Sequence, residues 1–429
     1  MWCLISQANS VVFEVRVDPK SIGQECLEKI CSHLGISNES DYFGLKYENA
    51  RGEELWLNLR NPIDKQVNCH NHTAPLRFAL RVKFWVPPHL LLQETTRHQF
   101  YLHARSDLIE KRLLTNDWDG VCRVIALIAQ AESEDYDSLR PPHNLYMQAS
   151  TVTSDCGTSK PTDLLQRVIY EHKKLKGMKR TTAEYWLLKE IADFESFGEE
   201  VFTKTQGNIY LGVGPHGITI YDKQTLEKQL ISFTNIVCAS SHRRIFKLEY
   251  FSCENKETVL EVKLDSSHNA SSLYRAITEK HAFYSCETVR SAVTTQFIRD
   301  LKGTIVSIFN EDSTLGKKYV FDIRRTCREV YDNARRAIYQ ESQARLALEA
   351  DSSSGGSSGC DGEQCKDSEK LARFMEAMTC KICMDNRLDS VFMPCAHVVA
   401  CSECASKIDR CPLCRSEITQ AQKLYMPTW

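Results

Sequence analysis

The stretch from Thr379 to Glu417, TCKICMDNRLDSVFMPCAHVVACSECASKIDRCPLCRSE, holds seven of the nineteen cysteines in a chain of 429 residues. Disulfides, a redox pair, a catalytic thiol or a metal would each explain such crowding, and the spacing selects among them. Cys380 with Cys383, Cys401 with Cys404, and Cys411 with Cys414 are C-x-x-C pairs, and Cys395 with His397 is a C-x-H pair. Two intervening residues let both thiolates reach one metal from a tight turn, and tetrahedral zinc takes four such ligands. Eight donors in four pairs therefore predict two structural zinc ions with no coordination position left open. A segment this short has little core of its own, so metal binding supplies much of its folding free energy.

The rest of the chain sets the context. Its length predicts two to four domains, and 42% hydrophobic residues are enough for sizeable cores. The net charge of −2 lacks the basic excess of a dedicated nucleic-acid binder. The cysteine cluster also lacks the His-x-x-x-His end and basic helix of a nucleic-acid zinc finger. The opening MWCLISQANSVVFEV has no basic flank and no long apolar core, so no signal peptide is expected. No apolar run is long enough to span a bilayer. With an odd cysteine count, these features point to the reducing cytosol.

The order of the donor pairs resembles the RING finger, a family that binds a ubiquitin-loaded conjugating enzyme and transfers ubiquitin without a covalent ligase intermediate. The resemblance implies interleaving, with Cys380, Cys383, Cys401 and Cys404 on one ion and Cys395, His397, Cys411 and Cys414 on the other. It implies conjugating-enzyme contacts at Ile382, at Ile408 on a short helix after Cys404, and at Pro412 and Leu413. It places Arg415 at the basic linchpin position that bridges enzyme and ubiquitin, where a planar guanidinium can donate to two carbonyls. The apolar end at Leu424, Tyr425, Met426 and Trp429 resembles tails that pack across a RING homodimer; self-packing on the same RING is the alternative.

Upstream, Phe13, Val15 and Val17 alternate with polar residues as in a strand, and Leu27, Ile30, Cys31 and Leu34 follow at helical spacing before Gly35. The phrases DYFGLKY (41–47), WLNLRNPIDKQ (56–66) and LRFALRVKFWVPPHLLLQETTRHQFYLHARSDLIEKRL (76–113) resemble the FERM domain. The fold class expected is multidomain α+β: a three-lobed FERM of ubiquitin-like roll, helical bundle and PTB/PH-like lobe, then a flexible linker and a two-zinc RING. The expected boundaries are 1–84, 85–198 and 199–286 for the lobes, and 287–350 for an additional subdomain ending in an Arg-rich helix. The Ser/Gly-rich linker is expected at 351–369, with Cys360 and Cys365 as free thiols, and the RING with a lead-in helix at 370–429. In the third lobe, Leu273, Ala276, Ile277 and Phe283 form the expected core stripe of the closing helix. Tyr274 and Thr278 share an adjacent stripe that could face a peptide added as a strand.

FERM followed by RING is similar to the family of inducible degraders of the lipoprotein receptor, the myosin regulatory light chain interacting proteins. Phrases such as LYRAIT (273–278), LGKKYVFDI (315–323) and CPLCRS (411–416) carry that resemblance. It implies a cytoplasmic ligase, peripheral at the cell membrane, that ubiquitinates cytoplasmic tails of membrane receptors and sends them to degradation. Implied partners are a ubiquitin-conjugating enzyme, ubiquitin and receptor tails, with acidic lipids and cytoskeletal proteins as further candidates. The alternative is a FERM membrane–cytoskeleton adaptor with a non-catalytic RING. No P-loop, G-x-S-x-G or H-E-x-x-H motif offers another chemistry.

Overall fold

In a computed structural model of the chain, residues 1–18, 20–67, 75–113, 115, 117–152, 161–202, 209–222, 228–252, 256–284, 327–353, 380, 382–383, 386–412 and 416–424 are described. Strand β5 (Leu76–Val82) turns Phe78, Leu80 and Val82 inward in strict alternation. It lies at the centre of a five-stranded sheet ordered β2-β1-β5-β3-β4, with β1 at Trp2–Ser6, β2 at Val12–Arg16, β3 at Phe43–Glu48 and β4 at Glu54–Trp56. Only the β1–β5 pairing is parallel. Helix α1 (Gly23–His33) packs on this sheet through Cys26, Leu27, Ile30 and Cys31. It stops where expected: Gly35 has φ +70°, a conformation that glycine adopts at little cost.

The second lobe is helical: α2 (Glu94–Ile109), α3 (Trp118–Ser133), α4 (His143–Val152), α5 (Pro161–Lys174) and α6 (Arg180–Ile191). Its central element is α3, which buries nearly every side chain from Val121 to Ala131. Asp117 caps it by accepting the Asp119 N–H at 3.0 Å. The cores of the first two lobes are continuous.

The third lobe pairs a four-stranded sheet with a three-stranded one. The first comprises β6 (Glu200–Phe202), β7 (Ile209–Gly214), β8 (Gly217–Asp222) and β9 (Lys228–Ser232). The second comprises β10 (Ile236–His242), β11 (Ile245–Phe251) and β12 (Glu257–Lys263). Helix α7 (Ser267–Tyr284) closes the lobe, with Ala270, Leu273 and Ile277 in its core. Phe283, expected in the same stripe, belongs to the joint core of the first two lobes instead. It stacks on Phe84 at 4.1 Å between ring centroids. The neighbouring residues of the segment 83–85 grip the same helix: Lys83 pairs with Glu279 at 2.8 Å, and the Tyr284 hydroxyl donates to the Trp85 carbonyl at 2.9 Å. Three consecutive residues at the end of β5 thus tie the three lobes together.

Helix α8 (Cys327–Ser353) follows, with Val330 and Ala334 fully buried and Val330 inserted in the joint core. It includes the first three residues assigned to the linker, Asp351–Ser353. The remainder of the linker with Cys360 and Cys365, the lead-in helix and most of the additional subdomain lie outside the described residues. The C-terminal module has a two-stranded sheet of β13 (Ser390–Met393) and β14 (Gln420–Lys423), a one-turn helix α9 (Ser402–Ala405), and a small core of Leu388, Phe392, Val399 and Ala400.

Candidate metal centre and the face beside it

Tight turns bring the donors together. The Cys380 N–H donates to the Asn386 carbonyl at 2.8 Å, and the Cys411 N–H to the Ser416 carbonyl at 2.9 Å. Each bond returns the chain to the first cysteine of its pair. The metal-ligating atoms of Cys380, Cys383, Cys401 and Cys404 all lie within 4.8 Å of one another. The Sγ atoms of Cys383 and Cys401 are 3.9 Å apart. Four thiolates at about 2.3 Å from a tetrahedral zinc sit roughly 3.8 Å from each other, so this donor set fits the ion. Hydrogen bonding to the Cys404 thiol, then to backbone N–H groups of Cys383, Cys401 and Ile382, pulls Cys380 down to about 4. The same hydrogen bond pushes the Cys404 thiol up, so the metal-free pair holds a proton between its sulfurs that metal binding must release.

Cys395, His397 and Cys411 form the second cluster, again within 4.8 Å. The His397 Nδ1 is buried and has no hydrogen-bond partner among the described residues. A buried lone pair in a nest of sulfurs is what a metal ligand presents. Cys414, the eighth donor, lies outside the described residues. The grouping of the other seven follows the interleaved order rather than sequence neighbours.

The remaining expected site residues fall in different surroundings. Ile382 is completely buried, and Pro412 and Ile408 are half-buried. Helix α9 ends at Ala405, so Ile408 lies beyond the helix rather than on it. Leu413, Arg415, Tyr425, Met426 and Trp429 lie outside the described residues. Leu424 ties its backbone to its own module, its N–H donating to the Asp389 carbonyl at 2.6 Å. Tyr274 and Thr278 are each 7% exposed. The Thr278 hydroxyl donates back to the Tyr274 carbonyl at 2.8 Å. Tyr274 lines a cleft of about 490 Å³ against the first lobe, together with Tyr47, Trp56, Arg243 and Arg275. Helix α7 is buried on more than its core stripe because it also packs on the first lobe.

Two residues that the sequence did not single out stand at the metal centre. The Arg97 guanidinium, 1% exposed, donates from Nη1 to the Ile382 carbonyl at 3.3 Å. Tyr185 of α6, also 1% exposed, joins the buried cluster of Cys380, Ile382 and Cys404. Arg97 lies 6.0 Å from the Tyr185 ring centroid. No local pattern marks either residue as a contact of the C-terminal module.

Four family models match the chain in order. They are the FERM N-terminal domain over residues 8–69, the FERM central domain over 86–202, the FERM C-terminal PH-like domain over 203–292, and the C3HC4-type zinc finger (RING finger) over 376–421. The chain joins a three-lobed FERM domain to a RING finger. The FERM part is 29% identical over 290 residues to tyrosine-protein phosphatase non-receptor type 14 of Mus musculus, covering 64% of this chain and 23% of that protein. It is 28% identical over 287 residues to the protein 4.1 homolog of Drosophila melanogaster, covering 65% of this chain and 16% of that protein. The FERM–RING chain thus spans about a quarter or less of the length of these relatives. The complex of the FERM and C-terminal domains of Drosophila Merlin has a similar fold, with a TM-score of 0.55 at 20% identity over 69% of this chain and 99% of that one. Among the described residues, no helix is long and apolar enough to cross a membrane.

Proposed function

We propose that the chain is a RING-type ubiquitin ligase of the inducible-degrader kind, in which the FERM lobes select the cytoplasmic tail of a membrane receptor and the RING recruits a ubiquitin-loaded conjugating enzyme. The observation that supports this best is the interleaved grouping of the seven described donors, which with Cys414 as the eighth would leave no coordination site for metal chemistry. Beside that set stand Ile382, Ile408 and Pro412, the apolar positions that meet the conjugating enzyme in RING fingers. In the reaction a substrate lysine amine attacks the thioester carbonyl. The C–S bond breaks, the conjugating-enzyme thiolate leaves, and the amine proton passes to solvent. The chain's own role is to orient the thioester, with Arg415 as the bridging donor. Cysteines committed to zinc are poor nucleophiles, in keeping with transfer that forms no ligase thioester.

The test is discharge of ubiquitin from a panel of loaded conjugating enzymes by the full chain, compared with Arg415→Ala at unchanged zinc content. The expected result is discharge by the wild type and its loss, on the order of tenfold or more, in the variant. A wild type that accelerates discharge from no member of the panel overturns the ligase. It would favour a FERM adaptor with a structural RING, a reading supported by relatives that match through the FERM lobes.

A further inference from the structure

We propose that the face made by α2 and α6 of the second lobe is a seat for the chain's own RING finger, and that a seated RING hides its conjugating-enzyme surface. The proposal rests on the ligase reading above. Its starting point is Tyr185. On α6, Ala183, Leu187, Leu188 and Ile191 belong to the joint core of the first two lobes, but Tyr185 does not. Its burial is shared with the RING residues Cys380, Ile382, Phe392 and Cys404, and Trp186 packs half-buried beside them. Without the RING, this large ring would stand on the outside of the lobe.

Arg97 makes the second half of the case. A buried guanidinium is costly unless anionic groups are near. Glu184, 2% exposed, is the strongest such group, with Glu94 and the buried Glu39 also acting on the charge, but Glu184 is engaged as well by Arg180 Nε and His98 Nδ1, each at 2.9 Å. The Arg97 Nε is buried without a hydrogen-bond partner among the described residues. Across the contact lies the four-cysteine cluster, whose Cys383 favours the Arg97 charge less strongly than Glu184 or Glu94 does. Four thiolates around one zinc carry a formal charge of about −2. The seat therefore offers a cation and an aromatic face to an anionic metal knuckle.

The consequence follows from Ile382. Its carbonyl accepts from Arg97, and its side chain is fully buried in the cluster that includes Tyr185. A conjugating enzyme that needs this residue cannot reach it while the RING is seated. The seated arrangement is a closed state, and activity requires the RING to lift.

The experiment compares the full chain with Tyr185→Glu, which sets an anion against the thiolates, with Arg97→Gln as a second opening variant, and with Tyr185→Phe, which keeps the packing. Two readouts are taken: hydrogen exchange in residues 180–191 and 400–405, and discharge of a ubiquitin-loaded conjugating enzyme. Faster exchange in both segments and faster discharge in the two opening variants, with Tyr185→Phe behaving as wild type, support the proposal. For a chain nine-tenths closed, the gain in discharge is up to about tenfold. Equal exchange in all four chains overturns the seat. Faster exchange with unchanged discharge overturns the hiding of the surface. Faster exchange with no discharge from any chain supports the seat and overturns the ligase reading.

Discussion

His172 shows how one side chain sets a pH limit on the second lobe. It is fully buried, its Nε2 is 2.9 Å from the Glu134 carbonyl, and its Nδ1 is 2.6 Å from the Tyr146 hydroxyl. The neutral ring satisfies both, donating from Nε2 and accepting at Nδ1. Burial holds its pKa below the ordinary 6.5. Above that value the ring is neutral folded and unfolded alike, and its contribution to stability is intact. As pH falls below about 6.5, the unfolded chain takes up a proton that the folded one refuses, and stability is lost down to the lowered folded value. His103 and His281, also depressed by burial, act in the same direction. Denaturant midpoints from pH 7.5 to 5 should fall, with each such proton contributing at most about 1.4 kcal/mol per pH unit. His172→Gln should start lower, having lost the Tyr146 bond, but should lose less on acidification. An unchanged slope would remove His172 from the account. At this scale the zinc donors were legible because a ligand's chemistry is local: two cysteines two residues apart can share a metal wherever the chain runs. Arg97 was not legible, since a buried arginine and a surface arginine look alike in sequence.

At the scale of elements, helical spacing in 269–285 identified Leu273, Ala276 and Ile277 as core, and all three are buried. The same spacing left Tyr274 and Thr278 for a peptide, because a helix with one apolar stripe is expected to show its other side to water. Helix α7 buries Glu279 and Lys280 as well, at 2% and 4% exposure, Glu279 against Lys83 of the first lobe and Lys280 against the Gly198 and Val213 carbonyls, to which it donates. Polar residues satisfied by partners across a lobe boundary leave no apolar signal in the sequence. The Glu279 carboxylate holds Lys83 at 2.8 Å and Arg275 Nε at 2.8 Å. Glu279→Ala leaves the Lys83 ammonium buried without that carboxylate, which costs roughly 3–5 kcal/mol in such pairs. Calorimetry of the FERM lobes should show a fall in Tm of that order of severity. Replacing both partners, Lys83→Met with Glu279→Leu, should recover most of the loss, because no buried ammonium is then stranded and Arg275, 22% exposed, can turn to water. A double variant no better than the single one would mean that the pair's geometry, not its charge balance, holds the lobes together.

For the whole molecule, the order of lobes was readable through the resemblance of phrases such as DYFGLKY and WLNLRNPIDKQ to the FERM domain, since alternation and helical spacing alone support only a small α+β domain. The seating of the RING was not, since Arg97 and Ile382 are 285 positions apart in the chain and the contact has no local pattern. That contact links zinc to the stability of the FERM lobes. The RING core is small, so its fold depends on the ions, and removing them should melt it. The FERM lobes have large cores of their own, one continuous across the first two lobes and one in the third, and should remain folded. A seated RING nevertheless acts on the second lobe as a tethered ligand, stabilising the state it binds. Elemental analysis of the full chain should therefore give two zinc ions per molecule. A strong chelator should abolish the RING transition in calorimetry and lower the FERM transition without erasing it. Tyr185→Glu, in which the RING is already lifted, should show a FERM transition that no longer responds to the chelator. If wild type and variant respond equally, the chelator is acting on the lobes themselves and the coupling fails. If only the wild type responds, the metal ions at one end of the chain contribute to the stability of the lobes at the other.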